Sequence, residues 1–133
     1  MSRSYFVCSI GAPDEEYSDE NLRRCIDNKC FVLNQWAKQK GVINEIKPDD
    51  ILLLKYDRNF VAYGKASSSL KDEDVSNGQG WSLKIDVNFW VVGNKTSIYG
   101  VKEAQEGGSN HAAVRKIERR FALEKMEEIG LML

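Results

Sequence analysis

Regular alternation of apolar and polar residues predicts one strand in the second half of the chain. From position 83 to position 91 every odd residue is apolar, and the first three even residues are polar or charged. This period of two is typical of a strand with one buried face. Trp90 takes a position on the polar face, beside Phe89. We therefore expect a sheet covered on both faces, with Phe89 in the core on one face and Trp90 packed beneath a helix on the second covered face.

Continuous apolar runs predict the other strands. The runs at 51–54 and 60–64 flank Asp57-Arg58-Asn59, a polar tripeptide suited to a hairpin connection. Because both arms are apolar throughout, they favour a curved sheet covered on both faces, as in a small barrel packed by helices. The remaining candidate strands are 5–10, 30–33 and 96–101.

Two stretches have helical spacing. Leu22, Cys25, Ile26 and Lys29 share one helical face, with Ser18 or Asp19 available as N-cap. From His111 onward, Val114, Ile117 and Phe121 mark one face of a second helix, and residues 36–41 suggest a short helical turn. Residues 67–80 are polar and form the longest candidate for a mobile loop. The predicted fold class is α+β, a small curved, barrel-like mixed sheet packed by helices.

Length and charge limit the classes of function. A chain of 133 residues is read as one domain, residues 1–133, and its net charge of −1 gives no global attraction to nucleic acid or membrane. Three cysteines without CxxC spacing favour a reducing, cytoplasmic compartment over disulfides or zinc. No signal sequence or membrane-spanning run is present, and the abrupt end at Leu133 could be the edge of an excised domain.

Catalytic chemistry has little support in the sequence. The one histidine, His111, follows a glycine-rich segment, and no nucleophile-elbow, metalloprotease, P-loop or dinucleotide-binding motif occurs. We expect no enzyme activity, no cofactor and no metal site.

Aromatic residues at the ends of elements are the better lead. Trp81 follows a polar, glycine-rich loop, Phe31 follows the first helix, and Trp36 lies among polar residues. Two or three such rings can form a stacking pocket for a planar base. The alternative is that they cover the core, and the spacing alone leaves both interpretations open.

The order of motifs resembles the YTH domain of the PUA-like superfamily, which encloses N6-methyladenine in an aromatic cage. The resemblance spans roughly residues 4–128 and is carried by the strand at 5–9, the helix at 21–26, the strands at 51–54 and 60–66, and Trp81-Ser82-Leu83-Lys84-Ile85-Asp86-Val87. Residues 46–53 are also similar to the turn of EVE domains. Such modules occur at the N-terminus of McrB-type modification-dependent restriction proteins. The resemblance thus implies that a GTPase or nuclease domain could follow in the parent protein.

The resemblance implies a set of base-binding residues. Trp81 matches the cage tryptophan five positions before the family's aspartate, and Phe31 takes the place of the cage tryptophan after the first helix. Asn21 falls near the polar residue that bonds the base, and Ser9 near the strand end that frames the pocket. The third cage aromatic would fall in the 76–80 loop, which has none, so Trp36 or Tyr56 remain substitutes.

The implied function is a non-catalytic reader that flips a methylated base into this pocket, with N6-methyladenine as first candidate and 5-methylcytosine as second. DNA is the preferred partner, and RNA is the alternative. Two other hypotheses stay open: a protein-interaction module that docks through Trp36 and Trp90, and an ASCH-type nucleotide-processing enzyme. The candidate phosphate-binding cations are Arg23, Arg24, Lys38, Lys40, Arg115, Arg119 and Arg120.

Overall fold

In the part of the chain that the structure describes, seven strands form one curled mixed sheet, and two helices pack against it. The structure is a computed structural model that describes residues 3–10, 18–35, 41–56, 59–97 and 114–131. The strands are β1 (Tyr5–Ser9), β2 (Cys30–Asn34), β3 (Ile51–Tyr56), β4 (Asn59–Ala66), β5 (Lys71–Asp72), β6 (Trp81–Ser97) and β7 (Val114–Ile117); the helices are α1 (Ser18–Asp27) and α2 (Arg119–Leu131), with a 3-10 turn at Val42–Glu45.

Strand pairing gives the sheet its curl. The order is β2-β6-β4-β3-β1-β7, with β5 also paired to β6. Only the pair of β1 and β3 is parallel among the described strands. β6 has 17 residues; its first part pairs with β2 and its second part with β4, so the sheet turns along this one strand. The predicted α+β class with a curved mixed sheet is confirmed.

Apolar side chains fill both faces of the sheet. In β1, Phe6 and Cys8 belong to the core beneath α1, which also contains Cys25 of that helix. Tyr5 and Val7 point to the opposite face, where a second core includes residues of α2. Successive strand residues point to opposite faces, so a strand buried on both sides must be apolar throughout. The prediction of a sheet with two covered faces is confirmed.

A β-bulge in β6 explains the tryptophan that broke the alternation. Gly64 lies opposite Trp90, whereas Ala66 lies opposite Val87, so the partner strand advances by two residues while β6 advances by three. The extra residue reverses which side chains face inward. Trp90 packs beneath α1, and its indole N–H donates to the Cys25 carbonyl oxygen at 2.8 Å, so the predicted helix cover is confirmed. The predicted face is wrong, because Trp90 lies in the same core as Ile85 and Val87. Phe89 is 52% exposed, so its predicted place in the core is wrong.

The carboxyl-terminal segment differs from the prediction. Residues 114–117 form β7, which pairs antiparallel with β1, and the helix begins only at Arg119. Val114 and Ile117 are three positions apart, which also fits a helical face, so periodicity could not separate a four-residue strand from a helix start. Residues 96 and 97 continue β6 rather than begin a new strand.

Several predictions fall outside the described residues: the helical turn at 36–40, the hairpin tip at 57–58, and the segment 98–113 that contains His111. Among the described helices, none is long and apolar enough to cross a membrane.

Candidate functional site

The first turns of α1 bury an amide that lacks a hydrogen-bond partner. Asn21 is 1% exposed, and its Oδ1 has no partner in the described part of the chain. The helix start is fixed at the carboxyl end of β3, because the Tyr56 hydroxyl donates to the Asp19 carboxylate. An unsatisfied buried acceptor costs about 1–3 kcal/mol. Asn21 therefore offers an acceptor that a bound N–H donor could satisfy.

Phe31 and Ser9 occupy very different environments. Phe31 lies in β2 opposite Ile85 of β6, and its side chain is 0% exposed within the core beneath α1. A base could reach this ring only if the side chains that cover it moved. Ser9 is half-buried at the end of β1, opposite Lys55 of β3. It lies at the same end of the sheet as the start of α1.

Trp81 is the first residue of β6 and is half-buried against the core that contains Phe31. It pairs with Asn34, whereas Phe31 pairs with Ile85, four residues further along β6. At roughly 3.3 Å per residue the two backbone positions are about 13 Å apart along the strand. The structure thus places both aromatics at one core, at separate levels of the β2-β6 pair.

The loop before Trp81 is built around one carboxylate, Asp74. Its Oδ1 accepts from the Ser76 N–H at 2.7 Å and the Ser76 hydroxyl at 2.6 Å, and its Oδ2 accepts from the Gly78 N–H at 2.7 Å. The Ser76 hydroxyl oxygen in turn accepts from the Trp81 N–H at 3.1 Å. These bonds hold the start of β6 in place. The Asp-x-Ser-x-Gly pattern at residues 74–78 is a turn signal in the sequence that could have predicted this loop.

The same hydrogen bonds set the protonation of Asp74. The Ser76 hydroxyl and backbone N–H, helped by the Gly78 N–H, hold the pKa of this carboxyl below its ordinary value of 3.8. Asp74 is therefore an acceptor-only carboxylate at neutral pH.

Left-handed backbone explains the polar, glycine-rich composition of the loop. Asn77, Gly78 and Gly80 have φ values of 55°, 89° and 91°. Only glycine and, less readily, asparagine adopt this region without steric cost. The loop is tied to β2, because the Gln35 N–H donates to the Gly80 carbonyl at 2.7 Å and the Asn34 amide donates to the Gln79 carbonyl at 3.2 Å.

Arg24 connects α1 to this loop. Its Nη2 donates to the Glu20 carboxylate at 2.7 Å and to Gln79 Oε1 at 2.9 Å, and its side chain is 11% exposed. Nη1 is buried and has no partner among the described residues. The predicted phosphate-binding residue Arg24 is thus engaged inside the protein, and the helix that carries Asn21 is joined to the loop that ends at Trp81.

The other predicted cations that the structure describes do not form one surface. Arg23 is exposed on α1. Arg115 lies on β7 opposite Val7, and Arg119 lies just beyond Ile117, which pairs with Tyr5. Arg119 is therefore at the opposite end of β1 from Ser9. Lys38 and Lys40 lie outside the described residues, as does Trp36.

Asp86, five positions after Trp81 on β6, lies between two lysines. Lys71 Nζ approaches its Oδ2 at 2.5 Å and Lys84 Nζ its Oδ1 at 3.2 Å, and Lys84 also pairs with Glu73. Partial burial alone would raise the pKa of Asp86, but the hydrogen bonds and charges of the lysines outweigh it and lower the pKa. This network of ion pairs connects β5 to the first part of β6.

Two alternative sites receive less support from the geometry. In the described part of the chain, no cluster of three or more His, Cys, Asp or Glu side chains could hold a metal ion. The docking patch of the interaction hypothesis includes Trp90, yet this indole is packed under α1 with its N–H bonded to a backbone carbonyl.

Comparison with known proteins links the fold to YTH domains. No protein-family profile matches the sequence, and no curated protein matches it. Among solved structures, the chain is similar to the YTH domain of the Zygosaccharomyces rouxii MRB1 protein in complex with N6-methyladenosine RNA (TM-score 0.66, 16% identity, 98% of this chain and 89% of the other). It is also similar to the Pho92 YTH domain in complex with m6A (TM-score 0.63, 11% identity, 96% and 86%).

A third similar structure is the protein Rpa0253 of Rhodopseudomonas palustris, solved by NMR (TM-score 0.61, 9% identity, 98% and 95%). At these identities the likeness establishes the fold, so the chain has a YTH-like α+β fold.

Proposed function

We propose that this domain is a non-catalytic module that binds nucleic acid and reads a methylated base. N6-methyladenine is the first candidate and 5-methylcytosine the second; DNA is the preferred strand and RNA the alternative. Two of the similar structures are YTH domains in complex with N6-methyladenosine RNA or m6A, which supports the class of ligand.

The buried amide of Asn21 is the observation that carries this proposal. Its Oδ1 lacks a partner in the described part of the chain, at a helix start beside the carboxyl ends of β1 and β3. A base that enters here would donate an exocyclic N–H to Oδ1, and the unsatisfied acceptor would gain a partner. Ser9 frames the same end of the sheet, and the Arg24 to Gln79 hydrogen bond brings the Trp81 loop to this helix.

The energetics require both stacking and edge recognition. Flipping a base out of its stack costs a few kcal/mol, and a ring such as Trp81 offsets this by about 1–3 kcal/mol. Burial of one methyl group contributes about 0.8 kcal/mol, roughly a fourfold preference. A larger preference needs a polar contact that the unmethylated base satisfies less well. In this proposal Asn21 reads the base edge, and Trp81 and Phe31 are the ring walls.

The test is fluorescence anisotropy with matched methylated and unmethylated oligonucleotides of DNA and RNA. Trp81→Ala is expected to remove the methyl preference. Phe89→Ala is the matched control, because it deletes an aromatic of the same strand that is 52% exposed. Equal affinity for all four oligonucleotides, or identical effects of the two variants, would exclude the proposal.

A further inference from the structure

A cavity lies at the end of the sheet opposite the candidate base site. It has a volume of about 670 Å³, and its lining residues are Arg3, Tyr5, Lys47, Pro48, Asp49, Asp50 and Arg119. Cavities of roughly 300–1,000 Å³ commonly hold small ligands. Its residues come from three separate segments of the chain.

The sheet register brings these segments together. β1 runs parallel to β3, with Tyr5 opposite Ile51, so the residues that precede both strands meet at one end. β7 runs antiparallel to β1, with Ile117 opposite Tyr5, so α2 begins at that same end. Arg3, Lys47 and Arg119 therefore converge although they are far apart in sequence.

Among the described residues, neither aspartate of the cavity forms an ion pair with these three cations, and the lining keeps a net positive charge. Asp50 is 2% exposed, and its carboxylate accepts the backbone N–H groups of Ser4 and Lys47, each at 2.9 Å. Asp50 therefore fixes the shape of the turn at residues 47–50 that precedes β3. Asp49 is exposed. In the described part of the chain, none of the three cations forms an ion pair.

The start of α2 adds a second reason to expect an anion. The first turn of α2 contains Arg119 and Arg120 and no acidic residue, and the exposed Glu118 that precedes it does not line the cavity. The amino-terminal end of a helix carries positive partial charge, so cations there are unfavourable unless an anion is nearby. The first backbone N–H groups of the helix are also donors without a helical acceptor.

We propose that this cavity is a phosphate-binding site formed by Arg3, Lys47 and Arg119. A phosphate group can accept from two guanidinium groups and an ammonium group at once. Its source is either a backbone phosphate of a nucleic-acid strand or a free phosphate compound. The first source rests on the proposed function: β1 has five residues, so a strand held at the base site would run about 17 Å along the sheet to reach the cavity.

The first measurement is an NMR titration of the chain with inorganic pyrophosphate, with amide shifts followed by residue. We expect saturable shifts at residues 3, 47 and 119, and at least a tenfold loss of affinity in Arg119→Gln. Lys116→Gln is the matched control, since it removes one positive charge from an exposed residue three positions away on β7 that does not line the cavity. If amide shifts also occur at exposed lysines and arginines outside the cavity, or if both variants lose affinity equally, the cavity is not a site that binds free phosphate.

The second measurement compares short and long oligonucleotides, of about five and fifteen nucleotides, that carry the methylated base. If the strand supplies the phosphate, Arg119→Gln and Lys47→Gln lower affinity for the long oligonucleotide only. Each also reduces the slope of log affinity against log salt by about one, whereas Lys116→Gln does not. If the phosphate site does not exist but the proposed function is right, the short oligonucleotide still shows a methyl preference. If the proposed function is wrong, that preference is absent. If neither measurement shows an effect specific to the cavity residues, the phosphate-binding site is refuted.

Discussion

At the scale of single residues, Asn21 shows how burial without a partner points to function. An asparagine inside a helix has lower helix propensity than leucine, and its buried oxygen here is unsatisfied among the described residues. Both features lower stability in the free protein. A residue that weakens the fold at a helix start is a candidate for ligand contact.

The substitution Asn21→Leu separates these two roles. We expect the free energy of unfolding to stay within about 1 kcal/mol of the wild type or to increase, because an apolar group of similar size replaces an unsatisfied one. We expect methyl-dependent binding to be lost. Denaturant unfolding and anisotropy measure the two effects, with the exposed Asn88→Leu as control. A large loss of stability would show that Asn21 is structural.

A second residue-scale prediction concerns Gly64, which faces the bulge. A Cβ at this position would lie 2.6 Å from the Phe89 carbonyl oxygen and 3.0 Å from Cε3 of Trp90. Because the first contact is with backbone, Gly64→Ala is expected to cost about 1–3 kcal/mol of unfolding free energy.

Gly41→Ala is the matched control for Gly64→Ala. Its φ of −62° suits alanine, and no atom lies within 4 Å of the new Cβ. We expect it to be neutral or stabilising by up to about 1 kcal/mol. Equal unfolding free energies for the two variants would contradict the proposed close packing at the bulge.

At the scale of elements, periodicity predicted strands well and failed where one residue was inserted or an element was short. The alternation from 83 to 91 located β6, but the bulge reversed the faces of Phe89 and Trp90. A bulge depends on the partner strand, so the sequence of β6 alone does not encode it. β7 was predicted as part of a helix, because a four-residue segment that is apolar at both ends fits a strand and a helix equally well.

The loop between β5 and β6 gives an element-scale prediction about pH. The pKa of Asp74 is lowered by the Ser76 and Gly78 donors, so the hydrogen bonds that need its carboxylate are fully formed above the ordinary value of 3.8. They are lost as pH falls through the lowered pKa. The Ser76 and Gly78 amide resonances should therefore titrate below pH 3.8, and the Trp81 amide with them.

Asp74→Ala should weaken oligonucleotide binding at neutral pH, since the start of β6 loses its support. Asp72→Ala is the control, because Asp72 is an exposed carboxylate two positions away on β5. If the Ser76 amide titrates at or above the ordinary aspartate pKa, or if both variants bind alike, the positioning role of Asp74 is refuted.

At the scale of the whole molecule, the fold was more predictable than the site. Continuous apolar runs such as residues 51–54 predicted a sheet with two covered faces, and the structure has a core on each face of its sheet. The site depends on what each ring faces after the chain has folded. Phe31 was predicted as a cage wall and is fully buried without ligand, so its role stays a prediction. Sequence spacing reports neither burial nor a missing hydrogen-bond partner.

The three buried thiols give a test of the whole fold. Burial raises the pKa of Cys30 to about 11, and it also raises the pKa values of Cys8 and Cys25 well above the usual thiol value. Because the thiolate is the reactive form, all three should resist alkylation at pH 8 in the native protein. They should react together when denaturant unfolds the domain. Rapid modification of one cysteine in native conditions, measured by mass spectrometry against the denatured protein, would contradict this core.

The central claim, that the domain reads a methylated base, is tested most directly by one ratio of dissociation constants. Anisotropy at fixed salt compares an oligonucleotide that contains N6-methyladenine with the same strand that contains adenine. We predict about fourfold tighter binding of the methylated strand, roughly 0.8 kcal/mol, from methyl burial, while the contact to Asn21 contributes to the affinity of both strands. A ratio of one for N6-methyladenine, and likewise for 5-methylcytosine, in both DNA and RNA would contradict it.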